Sequence, residues 1–189
     1  MKKCIVTLKS VGPLVQGKHV TVDKLPGESA PDYEQRTWKN RLHIDENGNV
    51  ILTPQMFKNC LSSAAQFLGM KIPGKGNSQY TKHFVSGIMV TDNLVLPLKS
   101  DDVKGMWLFV PSDGKRGGSK RVDKCFPIIE SWEGTVTFYI LDPVITEDIF
   151  LQFLTTAGNF IGVGSFRPAC NGSYGRFKIV NSDWIEDTV

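Results

Sequence analysis

A chain of 189 residues is long enough to bury the core of one domain, and its 41% hydrophobic and 22% charged residues exclude a largely disordered protein. The formal net charge of +3 is only slightly basic. An affinity for nucleic acid would therefore have to come from where the cations lie, since their sum is too small to create a strong field. No stretch of the sequence approaches the roughly 20 apolar residues that span a bilayer.

The cysteines and the N-terminal segment bear on the cellular compartment. Cys4, Cys60, Cys125 and Cys170 are far apart, and no two of them have the spacing of metal ligands. The apolar stretch after the N-terminal lysines is too short and too interrupted for a signal peptide. We therefore expect reduced thiols in a cytoplasmic protein, with no cofactor and no bound metal.

The first elements in chain order are a strand, a loop and a hairpin. Residues 4–10 alternate between apolar and polar side chains, which predicts a strand. Residues 23–37 carry two prolines and mixed charge, which favours a loop or an insertion. Residues 38–52 then predict a hairpin with its turn at residues 46–49.

A helix is predicted directly after this hairpin. Thr53 and Pro54 are typical of a helix start, with a capping hydroxyl followed by proline at the first helical position. Gly69 predicts the helix end. Apolar residues at helical spacing would form one buried face: Phe57, Cys60, Leu61, Ala64, Ala65 and Leu68.

The middle of the chain alternates between loops and strands. Residues 71–82 and 111–124 contain glycines and basic residues and predict loops. Residues 84–96 and 106–110 predict strands.

The last third predicts a strand, a helix and a closing strand. Residues 132–141 alternate as a half-buried strand, and Thr146 would cap a helix near residues 146–159. A glycine-rich loop at residues 162–175 separates this helix from a strand at residues 176–180.

The order strand, helix, strands, helix, strand predicts an α+β fold. It suits a ferredoxin-like (RRM-like) split βαβ sheet with two main helices and long inserted loops. Because no repeat and no linker interrupts the pattern, we predict that residues 1–189 form a single elaborated domain.

Cations are concentrated in two of the predicted loops. Residues 71–83 contain three lysines and a histidine without an acidic residue, and residues 113–124 contain five cations against two aspartates. Cations gathered on one side of a nearly neutral protein create the attractive field that a phosphate backbone requires. The alternative is that both loops are polar only for solubility.

The glycine-rich segment at residues 162–176 is a further candidate for phosphate contacts. It is not a dinucleotide fingerprint, because that motif needs a strand before the glycines and a helix after them. Glycines still let a backbone approach phosphates closely, and Arg167 and Arg176 could contact phosphate. Tyr174 or Phe166 could stack on a base. The alternative is a turn-rich connector whose arginines pair with acidic residues near the C-terminus.

The histidines have no metal-binding or nucleophile motif around them. His19, His43 or His83 could act as a general base in RNA cleavage, although a surface or binding role is more common for such residues. The same ambiguity applies to an aromatic and basic stretch formed by Trp38, Lys39, Arg41 and His43.

With these pieces in order, the chain resembles the RAMP superfamily of CRISPR proteins, especially the subunits that form a backbone along guide RNA. The resemblance rests on residues 12–18, residues 50–54 entering the first helix, the basic loops, and the glycine-rich segment that leads into residues 176–179. The chain is short for a backbone subunit, and residues 53–56 lack the glycine-serine turn usual there, so a phage or mobile-element relative fits equally. The resemblance implies an RNA-recognition-like core, single-stranded binding, and a filament or ribonucleoprotein assembly.

The leading hypothesis is a non-catalytic protein that binds single-stranded RNA or DNA, self-associates or joins a ribonucleoprotein complex, and has no membrane partner. Its spatial condition is that residues 71–83, 113–124 and 162–176 converge on one cationic surface. The candidate nucleic-acid-binding residues are Lys18, His19, Trp38, Lys39, Arg41, His43, Lys75, Tyr80, Lys82, His83, Lys115, Arg116, Lys120, Arg121, Arg167, Tyr174 and Arg176.

Two alternatives stay open from the sequence. One is a metal-independent endoribonuclease that processes guide RNA, with His19 or His43 as the acid–base group. The other is a phage inhibitor or interaction module that binds a host protein complex, in which case the basic loops would face an acidic partner.

Overall fold

The computed structural model describes residues 2–112, 117 and 120–186. Within these residues the protein is mixed α+β, and its sheets are antiparallel. The strands are β1 (Lys2–Ser10), β2 (Leu14–Val15), β3 (Asn49–Leu52), β4 (Ile88–Val90), β5 (Leu94–Lys99), β6 (Lys104–Pro111), β7 (Arg121–Ile129), β8 (Glu133–Ile140) and β9 (Phe177–Glu186). The α-helices are α1 (Ala30–Thr37), α2 (Pro54–Leu68), α3 (Thr81–Ser86) and α4 (Glu147–Thr156).

β1 lies inside a four-stranded sheet with the order β4-β8-β1-β9. At one end of this sheet Lys2 is opposite Ile140 and Glu186, and at the other end Ser10 is opposite Phe177. We call these the Lys2 end and the Ser10 end. Since β1 has nine residues, the two ends are about 27 Å apart.

One face of the four-stranded sheet packs against α2 and α4 in a shared core. Along β1, half-exposed residues alternate with fully buried ones, which are Cys4, Val6 and Leu8. α2 begins at the Ser10 end, because the ring of Phe57 lies 6.2 Å from that of Trp132, whose carbonyl accepts the N–H of Ser10. The helix therefore runs from the Ser10 end toward the Lys2 end.

Two smaller sheets complete the fold. β7 pairs with both β2 and β6, and β3 pairs with β5. Leu14 is opposite Ile129 at the base of the β6–β7 hairpin. Because β2 follows β1 and β7 leads into β8, this hairpin is attached at the Ser10 end.

Several predicted elements are confirmed. α2 begins at Pro54 and ends before Gly69, which has the left-handed φ of 53°. The strands predicted near residues 4–10, 106–110 and 132–141 are β1, β6 and β8. The helix predicted near residues 146–159 is α4, followed by a π-helical turn, Ala157–Ile161.

The loop predicted for residues 23–37 is wrong for its second half, which forms α1. The Oγ of Ser29 accepts a hydrogen bond from the N–H of Asp32 at 3.2 Å and caps the helix. Pro31 lies in the first turn, where a missing N–H costs nothing. This proline therefore marks a helix start.

The hairpin predicted for residues 38–52 is confirmed only around its turn, where Ile44 bridges Val50 and the N–H of Ile51 donates to the carbonyl of His43 at 2.9 Å. Trp38–Arg41 forms a 3-10 turn, and β3 takes β5 as its partner. Further along, residues 84–86 belong to α3 although a strand was predicted, and residues 121–124 begin β7 although a loop was predicted. Short apolar runs fit either element, and the choice here depends on long-range pairing.

No described helix is both long and apolar enough to cross a bilayer. All of the cysteines are unpaired; Cys4, Cys60 and Cys125 are buried, and Cys170 is exposed.

Candidate functional site

The glycine-rich segment, residues 162–176, which we call the glycine loop, is held in place at the Ser10 end. Ser165 donates its N–H to the carbonyl of Val15 at 2.8 Å, and Gly175 donates to the carbonyl of Pro13, also at 2.8 Å. Gly164 has a φ of +79°, and a Cβ there would lie 2.4 Å from the Val15 oxygen. Only glycine permits this close pairing, which holds the loop against β2.

A cleft of about 350 Å³ separates this loop from the N-terminal half of α2. Segments far apart in the sequence form its walls, and none of its described lining residues is acidic. They are Gly17, His43, Thr53, Gln55, Met56, Asn59, Cys60, Ser63, Gly162, Val163, Gly164, Ser165 and Arg167.

The first turn of α2 opens into this cleft. Thr53 is the N-cap residue, and among the described residues its side chain makes no capping hydrogen bond. Pro54 has no N–H and the N–H of Met56 donates to the carbonyl of Thr53 at 3.0 Å, so this turn offers an anion the N–H of Gln55 and the partial positive charge of the helix end. The cleft therefore has a wall that favours an anion.

Arg167 brings a full positive charge to the opposite wall. Its Nη1 donates to the carbonyl of Gly164 at 3.0 Å, which orients the guanidinium from within the loop itself. The side chain is half-buried, so its charge is less screened than that of a surface lysine.

Cys60, at the floor of the cleft, is not a nucleophile. Burial raises the pKa of its thiol to about 12, against the opposing effect of Arg167. Its Sγ donates to the carbonyl of Ala157 at 3.4 Å and ties α2 to the π-helical turn.

His43 is positioned by a fully buried glutamine. The Oε1 of Gln16 accepts the backbone N–H of His43 at 2.7 Å, and its Nε2 donates to the carbonyl of Ile51 at 2.9 Å. Burial, with a smaller effect of Lys18, lowers the pKa of His43 below 6.5. The imidazole is therefore neutral at pH 7 and can accept a proton.

The base of the β6–β7 hairpin adjoins the glycine loop. The rings of Phe126 and Phe166 meet edge to face with centroids 4.9 Å apart, and the hydroxyl of Tyr174 donates to Sδ of Met106 at 3.4 Å. Tyr174 is half-buried, so part of its ring is accessible.

Four candidate binding residues belong to the tip of the β6–β7 hairpin, and the structure describes two of them. Lys120 and Arg121 are exposed, and Arg121 donates to the carbonyl of Phe109 at 2.7 Å. Lys115 and Arg116 lie outside the described residues.

The segment from Trp38 to Arg41 has mainly structural contacts. Arg41 forms an ion pair with Glu34 at 2.9 Å, with side chains only 11% and 6% exposed. Lys39 approaches Asp101 at 3.4 Å and covers the ring of Trp38 at 5.7 Å. We therefore leave Trp38, Lys39 and Arg41 out of the binding site.

Lys18 and His19 are both exposed, unlike Trp38, Lys39 and Arg41. Lys18 follows Gly17 at the rim of the cleft, and its N–H donates to the carbonyl of Arg41 at 3.0 Å. His19 lines a separate depression beside Arg41 and Lys124. Lys18 thus adds charge to the cleft, and His19 lies outside it.

The loop at residues 71–83 lies at the Lys2 end, so the three basic segments do not converge as expected. Nδ1 of His83 lies 2.6 Å from Oδ2 of Asp142, two residues beyond the end of β8. Burial acts to raise the pKa of Asp142, but the N–H of Val144 and His83 outweigh it and lower the pKa. His83 is thus paired with a carboxylate and remote from the cleft.

The other candidates of this loop share its position at the Lys2 end. Tyr80 is only 5% exposed, and its ring packs against Phe84 and Phe153 at 6.5 and 5.8 Å. This packing leaves its ring no free face for a base, so we leave Tyr80 out of the proposed site. Lys75 and Lys82 are exposed but far from the glycine loop.

Sequence reasoning missed the polar side of α2. Gln55, Asn59 and Ser63 follow one another at a spacing of four residues and line the cleft. A polar stripe beside the apolar face of a core helix was visible in the sequence, but such stripes usually face only solvent.

Comparisons with known proteins add no family assignment. No protein-family model matches the chain, and no curated protein is detectably similar to it. Among the described residues, no three His, Cys, Asp or Glu side chains are grouped to hold a metal ion.

Proposed function

We propose that this protein binds single-stranded RNA or DNA without cleaving it, and that a backbone phosphate lies in the cleft between α2 and the glycine loop. One observation carries the proposal: the open first turn of α2 and the Arg167 guanidinium line the same non-acidic cleft. A phosphate is the anion of nucleic acid that fits such a pair of donors.

Further groups near the cleft favour an extended nucleic-acid strand as the ligand over a single small anion. Lys18 stands at one rim of the cleft, and the half-exposed ring of Tyr174 stands on the hairpin side. Lys120 and Arg121 add exposed positive charge at the tip of the hairpin, about 27 Å from its base, where a longer oligonucleotide would reach them. Phosphate contacts and ring stacking together are typical of sequence-independent single-strand binding.

The strand order supports a finer fold proposal. β1, α2, β4, β8, α4 and β9 follow one another as βαββαβ, and their sheet order is β4-β8-β1-β9 with antiparallel neighbours. This arrangement suits a ferredoxin-like core, with α1, β2, β3 and β5–β7 as insertions. The RAMP resemblance and an assembly side by side along the strand are part of the same proposal.

A metal-independent ribonuclease is the second candidate, favoured by His43 alone. This histidine lines the cleft, and its lowered pKa leaves it neutral and able to act as a general base at pH 7. Incubation with labelled RNA and EDTA tests this. Cleavage that is lost in His43→Ala would support it, and intact RNA would exclude it.

Fluorescence anisotropy with labelled 20-residue oligouridylate and oligothymidylate tests the main proposal. We expect Arg167→Ala to weaken binding about tenfold and to reduce the slope of log K against log salt by about 0.7, the value for one lost contact on a single strand. Lys82→Ala, which removes an exposed charge at the Lys2 end, is the matched control and should leave both quantities unchanged. Wild-type protein without salt-sensitive binding would contradict the proposal.

A further inference from the structure

Two phenylalanines form an exposed stacked pair on the surface. Phe67 and Phe160 are 61% and 56% exposed, with ring centroids 5.6 Å apart and ring planes 19° from parallel. Large aromatic side chains contribute most to stability when they are buried. Rings that stack on each other and still expose more than half of their surface can take a further flat ligand.

The pair continues the wall of the cleft. Phe67 lies four residues after Ser63, one helical turn and about 6 Å further along the same side of α2. Phe160 lies in the π-helical turn, two residues before Gly162 of the opposite wall. Each wall of the cleft thus ends in one ring of the pair. The hydrogen bond from Sγ of Cys60 to the carbonyl of Ala157 joins the two walls.

Positive charge lies near the pair. Nε of Arg176 donates at 3.0 Å to the carbonyl of Asn159, the residue before Phe160. Arg167 lies on the cleft side of Gly162. An apolar pair with two arginines nearby suits a ligand that combines flat rings with negative charge, which describes a nucleotide better than an apolar protein surface.

We infer that Phe67 and Phe160 form a stacking platform for one unpaired base of the strand whose phosphate occupies the cleft. This inference rests on the proposed function and assigns it a substrate class: strands with accessible, unpaired bases of any identity. Stacking uses the flat face that all bases share, so the platform adds affinity without sequence specificity.

The test compares two ligands with the same charge. One is a 20-residue oligothymidylate, and the other is an oligomer of the same length whose bases are replaced by abasic tetrahydrofuran units. We expect Phe67→Leu and Phe160→Leu to weaken oligothymidylate binding about fivefold or more, as loss of one stacked base predicts. Binding of the abasic oligomer and the salt dependence should stay unchanged, because the phosphate contacts remain.

Phe67→Tyr is the matched control, because it keeps an aromatic ring and should bind oligothymidylate like the wild type. Both rings are exposed, so the variants should fold, and their unfolding temperatures verify this. Leu variants that bind oligothymidylate like the wild type would overturn the platform, while an effect of Arg167→Ala would still uphold the cleft. Leu variants that change only self-association in sedimentation equilibrium would also overturn it, since the pair would then contact a second copy of the chain.

Discussion

The carboxylate of Glu34 connects three segments beside the hairpin. Its side chain is 6% exposed and pairs with Arg41, and its Oε1 also accepts the backbone N–H of Cys125 at 2.7 Å. It thereby links α1, the 3-10 turn and β7. A buried ion pair contributes little in net terms, but removal of one partner leaves the other charge buried without compensation.

We therefore predict that Glu34→Ala lowers the free energy of unfolding by about 3 kcal/mol or more, measured by urea denaturation. Glu133→Ala is the control, because Glu133 pairs with Lys9 at 2.8 Å with both side chains about half exposed. Exposed pairs contribute on the order of 0.5 kcal/mol. Equal losses in the two variants would contradict a structural role for Glu34.

The proposed phosphate site has a titratable group in its lining, His43. Burial and Lys18 lower its pKa below 6.5. Protonation of His43 in the folded protein therefore costs stability as the pH falls below the pKa that the residue has in the unfolded chain. A phosphate in the cleft would compensate for the added charge. We predict that oligonucleotide affinity rises as the pH falls from 7.5 to about 5.5, and that His43→Gln flattens this dependence. An unchanged pH profile in that variant would place the phosphate away from His43.

At the scale of elements, the glycine loop depends on close contact with β2. Gly164→Ala would combine a φ of +79° with a Cβ placed against the Val15 oxygen. Gly74→Ala is a matched control, since it has a φ of +74° and no atom within 4 Å of the added Cβ. The control should cost about 1 kcal/mol from backbone strain.

We predict a larger loss of stability for Gly164→Ala, together with faster hydrogen exchange of the Ser165 amide that donates to Val15. Protection factors from exchange measured by NMR would report it. Comparable effects of both substitutions would mean that the loop can shift away from β2 at no cost.

Local chemistry explains which elements the sequence predicts well. α2 is predicted because Thr53, Pro54 and Gly69 mark its ends and its apolar face is regular. α1 is missed because a serine followed by a proline, here Ser29 and Pro31, fits a loop as well as a helix start. The pairing of β3 with β5 is missed, since it brings together residues more than 40 positions apart and leaves no local pattern.

The candidate site could be predicted only in part. Arg167, His43 and Lys18 were all candidates, and the cleft brings these three together. The sequence could not separate them from Lys75 and His83, because charge patterns do not tell which end of a sheet a loop occupies. Phe67 and Phe160 were indistinguishable from core residues, since an exposed ring and a buried ring look alike in a sequence.

At the scale of the whole molecule, the cations form separate groups at the two ends of the four-stranded sheet. The cleft lies at the Ser10 end, Lys120 and Arg121 lie at the far tip of the hairpin attached there, and Lys71, Lys75 and Lys82 follow α2 at the Lys2 end. With the ends about 27 Å apart, charges on one end are screened from the other, because the Debye length at physiological salt is about 8 Å.

We therefore predict that a variant in which Lys71, Lys75 and Lys82 are all alanine keeps the wild-type salt slope. About three phosphate contacts at the Ser10 end would give a slope near −2 in a plot of log K against log salt for a single strand. Anisotropy titrations between 50 and 300 mM NaCl measure it. If the slope of the triple variant is less steep than that of the wild type by about 2, the oligonucleotide runs the full length of the molecule.

The pairing of β1 with β9 also sets Lys2 beside Glu186, with Nζ and Oε1 3.3 Å apart, at the end of the sheet remote from the cleft. Immobilisation on a bead or sensor chip through a residue at this end would therefore leave the cleft facing away from the support and accessible to an oligonucleotide.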